Sequence, residues 1–204
     1  MSCEHDPSSE EHDRSTGFSL YKHIDITKVY ALNEATAESV KSVFKAWNQR
    51  LNFSEGYLES NDDDPELLVF IPFTSDVKIK SISVIGGVDG TSPTKMRAFT
   101  NREGIDFSDT QGMQPIQEWK LEEDLQGVVE YQTRYSKFQG VRNLILHFPN
   151  NFGADITRIL YIGIKGEANE MKRDMVPTVV YELMPKPSDH KTKADVGANF
   201  SHVE

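Results

Sequence analysis

Few side chains in this sequence have a type and spacing suited to covalent chemistry. The one cysteine, Cys3, stands in a polar, acidic stretch with no scaffold nearby to lower its pKa or orient a base. Cys3, His5 and His12 are spaced so that a flexible arm could chelate a soft metal, yet their surroundings have the composition of a solvated tail. Asp62, Asp63 and Asp64 precede Pro65 and invite comparison with an acidic metal loop. The alternating ligands, central glycine and closing glutamate of an EF-hand are missing. A solvated turn is the plainer reading, with an acidic contact surface or a weak Ca²⁺ site as alternatives. His147 lies on the parity opposite Leu144, Leu146 and Phe148 and reads, like His23, as a half-exposed strand residue rather than a catalytic one, since no serine or cysteine motif accompanies either. GxSxG, GxGxxG, GxxxxGKS/T and HExxH do not occur, so the common hydrolase, nucleotide and zinc-peptidase signatures are absent. The expectation is a chain with no catalytic residues, no metal and no cofactor.

Binding chemistry is better represented. The formal net charge is −10 over 204 residues, and it sits in two places. Residues 1–16 carry a balance of −4 and residues 55–66 (EGYLESNDDDPE) a balance of −6, leaving the rest neutral. A neutral body without a basic stripe excludes nucleic acid as a natural partner and favours a basic protein surface. NFGAD at 151–155 is the most distinctive loop: Asn and Gly favour positive φ, and Asp155 can hold the turn before the next strand. A structural turn is the first reading and a recognition loop the second. Asp62, Asp63 and Asp64 are therefore expected as a charged rim, with Asn151, Phe152 and Asp155 at a loop end. Near the carboxyl terminus, Phe200 and His202 in NFSHVE combine an aromatic anchor with a potential ligand for a partner's groove or metal site. A competing reading is a small-ligand site, for instance for carbohydrate, in which Trp47, Trp119, Tyr57 and Asn151 would have to converge.

These loops need a scaffold, and the pattern from residue 67 onward supplies one. LLVFIPF (67–73), VKIKSISVIGG (77–87), 95–99, 116–121, 127–135, 141–148, 158–167 and 178–184 read as strands, and 20–26 adds another. About nine strands with turn signals between them and little helix indicate an antiparallel sandwich or barrel. Within 77–87 the apolar parity slips by one between Ile79 and Ile82, the signature of a β-bulge that keeps both halves facing the core. Pro72 marks an edge or a strand end. The glycines of YIGIKGE are too sparse for a phosphate cradle and read as places of close backbone approach. Residues 33–51 carry Val40, Val43, Phe44 and Trp47 at helical spacing, which suits a short helix or an irregular segment anchored by Phe44 and Trp47. Residues 1–16 read as a disordered acidic tail, 17–184 as one domain and 185–204 as a flexible tail. No apolar run approaches the roughly 18 residues of a membrane span, and no secretory or transit signal is expected. A single cysteine suits a reducing compartment, cytosol or nucleus.

ESNDDDPELLVFIPF, VKIKSISVIGG, PTKMRAFTN, YSKFQGVRNLILHF and NFGADITRILYIGIKGE together resemble the PITH domain, named for a proteasome-interacting thioredoxin. The likeness spans roughly residues 18–184. It implies a jelly-roll β-sandwich similar to galactose-binding-like domains, and no catalytic motif. It also implies association with the 26S proteasome, by analogy with the thioredoxin-like relative that carries this domain at its carboxyl end, and hence a cytoplasmic and nuclear location. The CxxC of that relative has no counterpart here, so its disulfide-reductase activity is not expected.

Overall fold

Strand runs this apolar bury most of their residues only if two sheets close over them. The computed structural model describes residues 18–54 and 56–169. The strands are β1 (Tyr30–Leu32), β2 (Leu58–Glu59), β3 (Leu67–Gly86), β4 (Lys95–Thr100), β5 (Gln117–Lys120), β6 (Tyr131–Gln132), β7 (Val141–Phe148) and β8 (Arg158–Ala168). Among the described residues one α-helix, α1 (Phe107–Gly112), lies between β4 and β5. All pairings are antiparallel, in the order β2-β8-β3-β7-β4-β5, with β1 and β6 also pairing to β3.

The 20-residue β3 organises the fold. Straight, it would span roughly 65 Å at about 3.3 Å per residue. Its two ends nevertheless meet at the start of β8. Thr157 Oγ1 donates to the Pro65 carbonyl at 2.6 Å, and Gly87 N–H donates to the Arg158 carbonyl at 2.9 Å. The strand therefore doubles over, and it does so where its ladder with β7 jumps from Pro72–Asn143 to Val77–Val141. Proline removes a ladder donor at that corner. The first half of β3 pairs with β1 and β7, the second with β6 and β8, and Val77 is paired to both β7 and β8. Val69, Ile71, Ile79, Ile82, Leu144, Phe148, Ile159 and Ile162 fill the space between the layers and are almost fully buried.

The parity slip is real: the β3–β8 register shifts between Ile79 and Ser81, so Lys80 is the extra residue and both isoleucines still face inward. Gly166 sits opposite Ile79 beside this bulge, and a Cβ there would run into the Lys78 carbonyl oxygen. Close backbone approach is thus what that glycine serves.

Several expected elements differ. Residues 67–73 and 77–87 belong to one strand rather than two. The 20–26 stretch forms two 3₁₀ turns, Tyr21–His23 and Ile26–Lys28, with single bridges at Ser19–Lys165 and Ile24–Phe73. The Asp25 carboxylate, bonded to Thr27 and Lys28, favours the turn over a ladder. Strand 127–135 shrinks to two residues, because the buried Asp124 carboxylate draws in the N–H groups of Gln126, Gly127 and Val129. Residues 33–51 are irregular, with 3₁₀ turns at Ser39–Val43 and Trp47–Gln49. There Glu34 accepts the N–H groups of Glu38 and Val40. The strand expected at 178–184, both tails and the limits at 17 and 184 lie outside the described residues. Among the described residues no helix is long and apolar enough to cross a membrane.

Candidate functional site

Because β3 returns on itself, three loops gather at one end of the sandwich: 60–66, 87–94 and 149–157. Two of them are stitched together in the interior. Ser60 N–H donates to the Thr157 carbonyl at 2.9 Å, Thr157 N–H donates back to Ser60 Oγ at 2.9 Å, and both residues are fully buried. The Asn33 side-chain amide donates to the Glu66 and Asp64 carbonyls at 2.7 and 3.2 Å, pinning the acidic loop from the β1 side. Asp63 takes the left-handed conformation at φ 63°, which lets the loop turn without glycine.

The expected site residues divide by role. Asp62, Asp63 and Asp155 are exposed and line one open depression of about 560 Å³ together with Gly153, Ala154 and Ile156. Asp64 is exposed too, but its carboxylate accepts the Glu66 N–H at 3.1 Å and so braces the loop. Asn151 is spent on the turn: its amide donates to the Ala154 and Ile156 carbonyls at 2.9 and 2.7 Å, and its oxygen accepts from Gly153 N–H at 2.9 Å. Phe152 is anchored by its backbone N–H to the Gly90 and Ser92 carbonyls at 3.0 and 3.1 Å, leaving its ring 44% exposed. That contact brings in two residues the sequence reading passed over, exposed Val88 and Asp89, which sit beside Gly90. The VDG turn signal placed them on a loop, but only the fold sets that loop against Phe152. Phe200 and His202, like Cys3, His5 and His12, lie outside the described residues.

The end is electrostatically one-sided. Arg158 is neutralised by Glu59, with contacts of 2.7 and 2.5 Å, and its guanidinium lies 4.7 Å from the Tyr57 ring centre. Asp62, Asp63, Asp89 and Asp155 have no ion-pair partner among the described residues. Nor, among the described residues, do three or more His, Cys, Asp or Glu side chains converge closely enough to hold a metal ion. What the geometry offers is a rim of negative charge on hydrogen-bonded loops, with the exposed Phe152 ring on the same loop as Asp155.

The residues of the small-ligand reading do not come together. The cations of Arg50 and Lys165 lie over the Trp47 ring at 4.2 and 4.9 Å. Trp119 packs on the core and donates to the Gln132 carbonyl at 2.9 Å. Tyr57 is held by Arg158, and Asn151 is consumed in its turn.

His147 differs most from its expected half-exposure: it is 1% exposed, because the segment carrying α1 covers the outer face of its sheet. Its Nε2 lies 2.6 Å from Glu66 Oε1, and its Nδ1 faces Arg97 Nη1 at 3.5 Å. With Nε2 donating to the carboxylate, Nδ1 keeps its lone pair toward the guanidinium. Burial holds the imidazole pKa below its ordinary 6.5 against the pull of Glu66, and Arg97 adds to the lowering. The unfolded chain therefore takes this proton more readily. The contribution is whole above about pH 6.5 and is lost as the pH falls toward the folded-state value. Urea melts between pH 7.5 and 5 should fall more steeply for the wild type than for His147→Gln. Parallel curves would remove this role.

Sequence comparison with known proteins agrees on one family. A family model described as "PITH domain" matches residues 10–185. The Dictyostelium discoideum protein named PITH domain-containing protein 1 is 40% identical, the match covering 96% of this chain and 95% of that one. Proteins of the same name from Xenopus laevis and Homo sapiens are 42% and 39% identical, each covering 93% of this chain and 89% and 88% of theirs. Among solved structures, the CBM32-1 and CBM32-2 domains of Clostridium perfringens ZmpB with GalNAc superpose at TM-score 0.56 and 12% identity, over 79% of this chain and 39% of that one. The family 32 CBM of C. perfringens NanJ with galactose gives 0.52 at 10% identity, over 72% and 97%. At such identities the likeness is one of fold: a jelly-roll sandwich of the galactose-binding-like type.

Proposed function

The chain belongs to the PITH domain family, and on that footing we propose that it is a non-enzymatic protein-interaction module of the cytoplasm and nucleus. Its partner is a basic surface on the 26S proteasome or a related assembly. The observation that carries this reading is the convergence of Asp62, Asp63 and Asp155 on clamped loops beside exposed Phe152. Fixed, uncompensated charges at a rim raise the rate of encounter with an opposite surface, and an exposed ring supplies apolar contact once encounter has occurred. The carboxyl-terminal NFSHVE, with Phe200 and His202, supplies a second contact in this reading.

The test is affinity capture of the full chain from cell lysate at low and high salt, with mass spectrometry of what is retained. Stoichiometric proteasome subunits are expected at low salt and should diminish at high salt. The triple reversal Asp62→Lys, Asp63→Lys, Asp155→Lys should weaken capture roughly tenfold at low salt. Unchanged capture by that variant would remove the acidic end from the interface. Undiminished capture after deletion of residues 196–204 would remove the tail.

A further inference from the structure

A second concavity lies away from the acidic end, on the outer face of the first sheet, the one that joins β1, the first half of β3, β7, β4 and β5. It is a groove of about 240 Å³. Phe70, Pro72 and Ile145 line its apolar part. Tyr30 lies flat on Phe70, ring centres 4.2 Å apart and planes 10° from parallel, and is itself 46% exposed.

The rim opposite Tyr30 is built with unusual care. Asn101 N–H donates to the Asn143 carbonyl at 3.0 Å, and Arg102 N–H donates to Asn143 Oδ1 at 3.0 Å. Asn101 in turn accepts from Arg142 N–H at 2.8 Å and donates to the Gly140 carbonyl at 3.1 Å. Asn101 holds φ 54°, which aims the chain back over the groove. These bonds fix the backbone that presents Arg102. They also commit the Asn143 oxygen, so its NH₂ group is left to face outward. Among the described residues neither the Arg102 guanidinium nor that NH₂ has a partner. Lys28 lies on the same rim, balanced by Asp25 at 2.9 Å, and Glu103 contributes one carboxylate.

We propose that this groove binds a small aromatic monocarboxylate. The ring packs against Tyr30 and the apolar floor, and the carboxylate is received by the Arg102 guanidinium and the Asn143 amide. An apolar pocket with a few convergent donors is the general form of a small-molecule site, and a planar guanidinium suits a carboxylate in particular. Glu103 limits the ligand to one negative charge, since a second would meet it.

The experiment titrates the full chain at pH 7 with 3-phenylpropanoate and, separately, with its neutral amide, following backbone amide NMR shifts. Saturable shifts are expected at residues 30, 70, 102–104, 143 and 145, with a dissociation constant on the order of 1 mM. The amide should bind about tenfold more weakly, the loss of one charge-assisted bond. Arg102→Gln, an exposed change that leaves the fold intact, should abolish the preference for the acid, and Glu103→Gln should tighten binding about twofold. No saturable shifts at the groove, or equal binding of acid and amide, would overturn the assignment. So would a preference that survives Arg102→Gln. None of these results bears on the acidic end.

Discussion

Gly166→Ala is expected to destabilise the sandwich by roughly 3 kcal/mol or more, a fall in Tm of about 6–12 °C for a chain of this size. The added methyl group would meet the Lys78 carbonyl oxygen, and backbone on the opposite strand cannot rotate away as a side chain would. Relief would require undoing the Lys80 bulge, which would turn either Ile79 or Ile82 away from the core. Gly112→Ala is the control: nothing lies within 4 Å of its Cβ position, so it should be nearly neutral. Equal melting temperatures for the two variants would show that the β3–β8 contact is looser than described.

Arg97→Met should cost roughly 2–4 kcal/mol, by a different route. The guanidinium donates to the Thr110 and Met113 carbonyls at 2.9 and 3.2 Å, and so ties the end of α1 to the sheet. Its Nε lies 3.6 Å from Glu118, too long for a hydrogen bond, and contributes charge only. Methionine preserves the stem's packing but leaves two carbonyls and the His147 lone pair without donors. Amide exchange should therefore rise about a hundredfold across residues 107–116, well beyond any rise in the second sheet. A uniform rise across both sheets would mean that Arg97 supports global stability rather than this attachment.

Much of the frame was legible because burial on a strand writes itself as alternation. The second half of β3 carried that pattern, while LLVFIPF and β8 were legible as runs apolar on both faces, and the Ile79–Ile82 slip located a bulge to within a residue. Short elements had no room for a pattern: β1 and β2 are three and two residues long and exist only because β3 and β8 offer edges. The capping box of α1, Asp106 with Asp109, was written in the chain but spans a single turn and was passed over. His147 was misjudged because parity tells which face a residue takes, not whether a later segment covers that face. The same limit applies to the acidic end. The NDDD and NFGAD loops were each visible, but they lie about ninety residues apart in sequence and are brought together by Thr157 bonding Ser60 and Pro65.

The doubled strand also has a consequence during synthesis. Both halves of β3 find their main partners in β7 and β8, which begin at residues 141 and 158. At about 5–20 residues per second, the ribosome leaves LLVFIPF with only the three-residue β1 as a partner for roughly 4–15 s before β7 emerges. Such a run is the kind that recruits other chains into intermolecular sheets. Pro72 interrupts it at one end, while Asp62–Asp64 just upstream and Lys78 and Lys80 just downstream give nascent chains charge by which to repel one another. The carboxylates that rim the finished surface thus also guard the unfinished one.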